Sequence, residues 1–181
     1  MKQLQDYINE KLHISQYKNY KYHPKNKQEL VELIAKKNQD IKNRDILDLN
    51  DIDVSQITDL SYIFENIKPI KVDMNNWNVS NVVDIHGLFW NNMITEEIHI
   101  ENLDVRNVES AYGVFYFCTK VKKLDLDKWN LSSCKEFDLM FKGCENLDTH
   151  FTDNWKMPTH EITTDNMFEG CKYIPNWYNK Q

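Results

Sequence analysis

The sequence predicts an α/β repeat solenoid of about five units of 25–27 residues, closed at its N-terminal end by a helical cap. Three observations predict it. Phe64, Phe89, Phe115, Phe141 and Phe168 recur at spacings of 25, 26, 26 and 27 residues. Ile52, Trp77, Leu103, Trp129 and Trp155 recur in step, at 25, 26, 26 and 26 residues. An alternating apolar–polar run precedes each of the first four units' second-series residues: Leu47-Asp-Leu49, Val72-Asp-Met74, Ile98-His-Ile100 and Leu124-Asp-Leu126. Two series in one period signal units that cannot bury their apolar faces alone and must stack.

The elements follow in order. Residues 1–14 form an amphipathic segment, with Lys2, Leu4, Tyr7, Ile8 and Leu12 at helical spacing. Residues 15–44 are a basic linker and a capping helix. The stretch Tyr17-Lys-Asn-Tyr-Lys-Tyr-His-Pro-Lys-Asn-Lys27 interleaves aromatics with base, a composition that binds single strands or simply forms a solvated linker. Residues 28–37 place Leu30, Leu33 and Ile34 on one helical face, with Glu early and Lys late to suit the helix dipole. From 45 to 181 each unit reads as strand, turn, short helix and turn. The period-two run is the strand, and Val83-Asp-Ile-His-Gly-Leu-Phe89 exemplifies a segment long enough for about two helical turns. The aromatics of Cys171-Lys-Tyr-Ile-Pro-Asn-Trp-Tyr178 close the far end.

Two resemblances bear on these elements. Asn75-Asn-Trp-Asn-Val-Ser-Asn-Val82 with Gly87-Leu-Phe89, and Leu124-Asp-Leu-Asp-Lys-Trp-Asn-Leu-Ser132 with Met140-Phe-Lys-Gly-Cys144, resemble the BspA-like leucine-rich repeat family over residues 45–175. That resemblance implies a leucine-rich-repeat-like fold and, for many members, adhesion at a bacterial surface. The last unit departs from it, with His150 and Thr152 where Leu124 and Leu126 stand one repeat earlier. Residues 1–10 resemble the capsid-targeting leaders of internal head proteins of large tailed phages. There an Ile-x-Glu sequence precedes the protease cut, as Ile8-Asn-Glu10 would here. This implies a mature chain from Lys11, packaged in the virion and delivered to disarm a host enzyme.

Charge points to the partner class. Residues 11–44 hold nine Lys and Arg against three Asp and Glu, whereas residues 45–181 hold twelve against 23. An acidic body repels nucleic acid and attracts basic proteins. Within the units, one outward row is expected at Asp48, Asp73, His99, Asp125 and Phe151, and a second at Asn50, Asn75, Glu101, Asp127 and Asp153. These rows read either as solvation of the surface or as a docking face for a basic protein. From them the candidate partner-binding residues are Asp48, Asp73, Asn75, His99, Glu101, Asp125, Asp127, Phe151 and Asp153. His99, between Asp73 and Asp125 in its row, is a candidate pH sensor.

Other chemistry finds little purchase. No calcium loop, HxxxH, HExxH or CxxC spacing occurs, so no metal or cofactor is expected. Cys118, Cys144 and Cys171 each follow a phenylalanine by three residues and read as buried, reduced thiols, as does Cys134 at an apolar position. The Trp77, Trp129 and Trp155 series reads as packing rather than a glycan platform. No apolar run spans a membrane and no export signal opens the chain, so cytoplasmic residence is expected. The expected function is a non-catalytic protein-binding module, in one version a phage or mobile-element inhibitor of a basic host defence protein. An adhesion component is the alternative, and an uncharacterised hydrolase the least supported reading. The oligomeric state stays open.

Overall fold

The computed structural model describes residues 20–41 and 45–178. The expected 1–14 segment, with its leader-like residues 1–10, lies outside them. A helix, α1 (Lys27–Gln39), comes first, where the apolar spacing places it. Asn26 caps it by accepting from the Glu29 N–H at 2.9 Å, while Glu29 reaches back to the Lys25 N–H at 2.8 Å. Leu30 and Ile34 are fully buried, and Leu33 partly. Ion pairs Lys27–Asp59 (3.0 Å) and Lys37–Asp51 (2.8 Å) tie both ends of the helix to the residues that follow.

Three short strands form one parallel sheet in chain order: β1 (Ile46–Asp48), β2 (Lys71–Asp73) and β3 (Glu97–His99). Leu47, Val72 and Ile98 stand opposite one another and point into the core. Beyond the strands the chain turns, and the indole N–H of Trp77 donates to the Leu49 carbonyl at 2.8 Å. That of Trp129 donates to Ile100 at 3.1 Å.

The expected α/β repeat solenoid of leucine-rich-repeat type does not hold. Among the described residues there is one α-helix, α1, and one three-stranded sheet; no unit carries the two-turn α-helix expected of it. The segments read as helical are turns, and the backbone hydrogen bonds show why. A helix sends each N–H to the carbonyl four residues back. Here Ile85, Gly87, Phe89 and Asn91 donate sideways to Ser110, Tyr112, Val114 and Tyr116, and Ala111, Gly113, Phe115 and Phe117 donate to Glu136, Asp138, Met140 and Lys142. Left-handed φ values at Tyr62 (53°), Gly87 (59°), Gly113 (56°), Leu139 (59°) and Asn166 (55°) interrupt any helix two residues before each phenylalanine. The result is a ladder of turns joined by parallel bridges Asp59–Asp84–Ser110–Glu136–Thr163.

The expected strand at Leu124–Leu126 is also absent: both leucines are buried, but the run does not pair with β3. In place of a fifth strand lies a 3-10 helix, His150–Asn154, where His150 and Thr152 break the leucine pattern.

Behind the turns runs a column of buried rings. Phe64–Phe89, Phe89–Phe115, Phe115–Phe141 and Phe141–Phe168 stack at 4.8, 5.8, 5.5 and 5.5 Å. Beside it Asn92, Cys118, Cys144 and Cys171 donate in turn to the carbonyls of Phe64, Phe89, Phe115 and Phe141. The four cysteines are free. Burial pushes the thiols of Cys118 and Cys171 up to about 12, so they stay protonated at neutral pH.

Candidate functional site: the outward face of the sheet and its edge

Pairing register builds the candidate face. Lys71 lies between Ile46 and Glu97, and Asp73 between Asp48 and His99, so Asp48, Asp73 and His99 form one row across strands about 4.8 Å apart. The sequence-predicted first row therefore exists as far as His99. Among the described residues, no Lys or Arg pairs with Asp48, Asp73, Asp125 or Asp127. Elsewhere lysines answer the carboxylates of Asp51, Asp59, Glu97, Glu109 and Glu169.

Several of these side chains also serve the backbone. Asp48 and Asp73 accept from the N–H groups of Asn50 and Asn75 at 2.9 and 3.0 Å, fixing the turn after each strand. Asn50 accepts from the Asn76 N–H and Asn75 from the Asn102 N–H, so the oxygens of this second row join neighbouring turns.

Three expectations are corrected by the geometry. His99 has Glu97 and Glu101 as its nearest carboxylates, at 3.9 and 3.8 Å, rather than Asp73 and Asp125. Phe151 is not an outward row member. The 3-10 helix turns it edge-on against Phe141 at 5.9 Å, where it packs on the core. Asp153, in the same helix, accepts from the Tyr173 hydroxyl at 2.7 Å and does not extend the sheet rows.

At the edge of the sheet, a cleft of about 870 Å³ separates β3 from residues 122–125. Glu97, His99 and Glu101 line one side, Lys120, Lys122 and Lys123 the other, with Ile98 and Leu124 between them. Asp125 lies in this cleft and Asp127 beyond it, both exposed. Among the described residues, no cluster of His, Cys, Asp and Glu has the arrangement to hold a metal ion. None of their helices is long and apolar enough to cross a membrane.

A second surface feature escaped the sequence reading. On the turn ladder, Tyr62 meets His86 edge-on at 4.6 Å and Trp90 at 5.9 Å. Trp90 lies parallel to Tyr112 at 6.1 Å and to Tyr116 at 3.9 Å. All five rings are partly exposed. The signal was present: all four glycines, Gly87, Gly113, Gly143 and Gly170, have positive φ on this ladder. A Cβ on Gly87 would sit 2.1 Å from the Tyr62 ring, and one on Gly113 2.5 Å from Trp90. Gly87, Gly113 and Gly143 each leave room for an aromatic ring of the preceding unit, Tyr62, Trp90 and Phe117 respectively.

No curated protein and no solved structure matches the chain. A family model does match, over residues 28–155 and again over 58–180. That family falls within the group of BspA-like and Mycoplasma repeat proteins, which upholds the first resemblance at the level of the group. The matched residues begin at 28 and leave out the leader-like residues 1–10. Because the matched residues cover most of the chain, the protein belongs to DUF285, a family described as a Mycoplasma protein of unknown function.

Proposed function

We propose that the protein is a non-catalytic protein-binding module whose acidic sheet face engages a basic surface of its partner. One observation carries this reading: the strand register sets Asp48 and Asp73 side by side, and among the described residues no lysine or arginine pairs with either. Like charges this close are unfavourable, and a basic partner relieves that repulsion on binding. Asp125, Asp127 and Glu101 extend the same sign toward the cleft, while the carbonyl oxygen of Asn75 is committed to its neighbouring turn.

The phage or mobile-element version of this module, an inhibitor of a basic host defence protein, draws its support from residues 1–10 alone. A second reading, adhesion at a bacterial surface, is favoured by membership in a group that includes BspA-like proteins.

The test replaces Asp48, Asp73, Asp125 and Asp127 together by Asn, which removes charge but keeps the oxygen that accepts from Asn50 and Asn75 N–H. Intact and substituted chains are used to capture proteins from bacterial lysate in 0.15 M and 0.5 M NaCl. The expected outcome is a basic protein held by the intact chain at low salt and lost on substitution. Capture of the same proteins by both chains would reduce the face to surface solvation.

A further inference from the structure

We propose that the aromatic row of the turn ladder, Tyr62, Trp90, Tyr112 and Tyr116, with Glu65 and Asp84 beside it, is a docking surface for an arginine-rich segment of another protein. It lies on the turns rather than the sheet and does not depend on the sheet-face reading.

Three observations carry it. First, the rings are contiguous and left partly in water, unlike the fully buried phenylalanine column behind them. Exposed Trp and Tyr rings of this kind anchor protein interfaces. Second, the rings are seated before any partner arrives. Tyr62 and Trp90 lie where Gly87 and Gly113 leave no Cβ, and Trp90 is stacked on Tyr116, so little order remains to be imposed on binding. Third, the surroundings are acidic. Burial first, then Tyr112, Glu65 and Asp84, hold the pKa of the Tyr62 hydroxyl above its ordinary value; the Asp84 carboxylate is also held by His86 Nδ1, at 2.7 and 2.8 Å. A cation of the chain itself, Lys142, already sits within electrostatic reach of the Tyr116 and Tyr112 hydroxyls while paired with Glu169 at 2.7 Å.

This combination selects among cations. A guanidinium is planar, weakly hydrated and doubly pronged, so it stacks flat on Tyr or Trp while bonding a carboxylate. The ammonium of lysine gains the charge term but not the stacking. A neutral sugar gains the stacking and hydrogen bonds to the carboxylates but no charge attraction, and a nucleic acid meets the acidic body.

The test uses the full chain with fluorescently labelled deca-arginine and deca-lysine peptides in 0.15 M salt. Deca-arginine is expected to bind at least fivefold more tightly. Trp90→Ala with Tyr112→Ala should abolish that preference, leaving deca-lysine within twofold. Asp48→Asn with Asp73→Asn should leave the preference intact, so this proposal and the sheet-face reading fail separately. Because the ring substitutions could disturb the ladder, the unsubstituted chain is also titrated by NMR through its indole N–H signals. Trp90 should shift saturably with deca-arginine, while those of buried Trp77 and Trp129 stay in place. Equal affinity for the two peptides, a preference that survives loss of the rings, or an equal Trp90 shift with a neutral oligosaccharide would each overturn the proposal.

Discussion

Trp129 and Trp155 stand one period apart in the same series and differ at the indole nitrogen. The Trp129 indole donates to Ile100, whereas the buried Trp155 nitrogen has no partner. A buried donor left unmade costs more than a made one gains. Trp129→Phe should therefore destabilise the protein by about 1–3 kcal/mol more than Trp155→Phe, measured by urea unfolding. Equal costs would mean that ring area alone governs both sites. Asp59 gives a second residue-level expectation. Its partial burial would raise its pKa, but hydrogen bonds from Ser61 and Lys27 outweigh this and hold it below the usual 3.8. A folded-state pKa below the unfolded one adds stability that is complete well above pH 3.8 and is lost as the pH falls through the depressed value. The pair is half-exposed, so the effect is about 0.5–1 kcal/mol. The stability gap between the unsubstituted chain and Asp59→Asn should shrink from pH 5 to pH 2.5; a constant gap would remove the carboxylate from the account.

At the scale of the element, the turn ladder answers to its glycines. Gly113 combines φ of 56° with the Trp90 ring 2.5 Å from where a Cβ would stand. Gly170 has φ of 80°, but its nearest neighbour, the Gly143 Cα, is 3.4 Å away. Gly170→Ala should cost about 1–2 kcal/mol, the left-handed backbone penalty alone. Gly113→Ala adds overpacking of about 1–3 kcal/mol, because Trp90 is stacked on Tyr116 and cannot yield freely. Similar melting temperatures for the two variants would refute the steric part. Element legibility divides along physical lines. Helix α1 was readable because cap, dipole and apolar face agree within one segment. The supposed helices near Phe89 and Phe115 were not, since their apolar spacing suits two turns while their N–H groups are taken by the neighbouring unit.

For the whole molecule, charge is the term most open to measurement. With 23 acidic against twelve basic residues from 45 onward, and Asp48 beside Asp73, self-repulsion should outweigh the surface ion pairs. Raising NaCl from 20 to 500 mM should then raise the melting temperature by about 2–4 °C, equivalent to roughly 1 kcal/mol for a chain of this size. A fall would show that pairs such as Lys37–Asp51 and Lys71–Glu97 dominate instead.

The phenylalanine and tryptophan series, helix α1, the inward Leu47, Val72 and Ile98, and the buried Cys118 and Cys144 were all determined by the sequence, because each depends on local spacing or on an apolar pattern that recurs, although Cys171, expected buried like them, is only partly so. So was the outward row through Asp48, Asp73 and His99, which needs only period-two alternation. Tertiary structure alone decided the rest. The sideways hydrogen bonds made turns out of expected helices, the 3-10 helix turned Phe151 inward, and the separation of β3 from residues 122–125 opened the cleft. Tyr62, Trp90, Tyr112 and Tyr116 came together by the same means. For the sideways bonds, the cleft and the aromatic row the deciding partner lies about one period away in the chain, and no local pattern states which of its atoms face across.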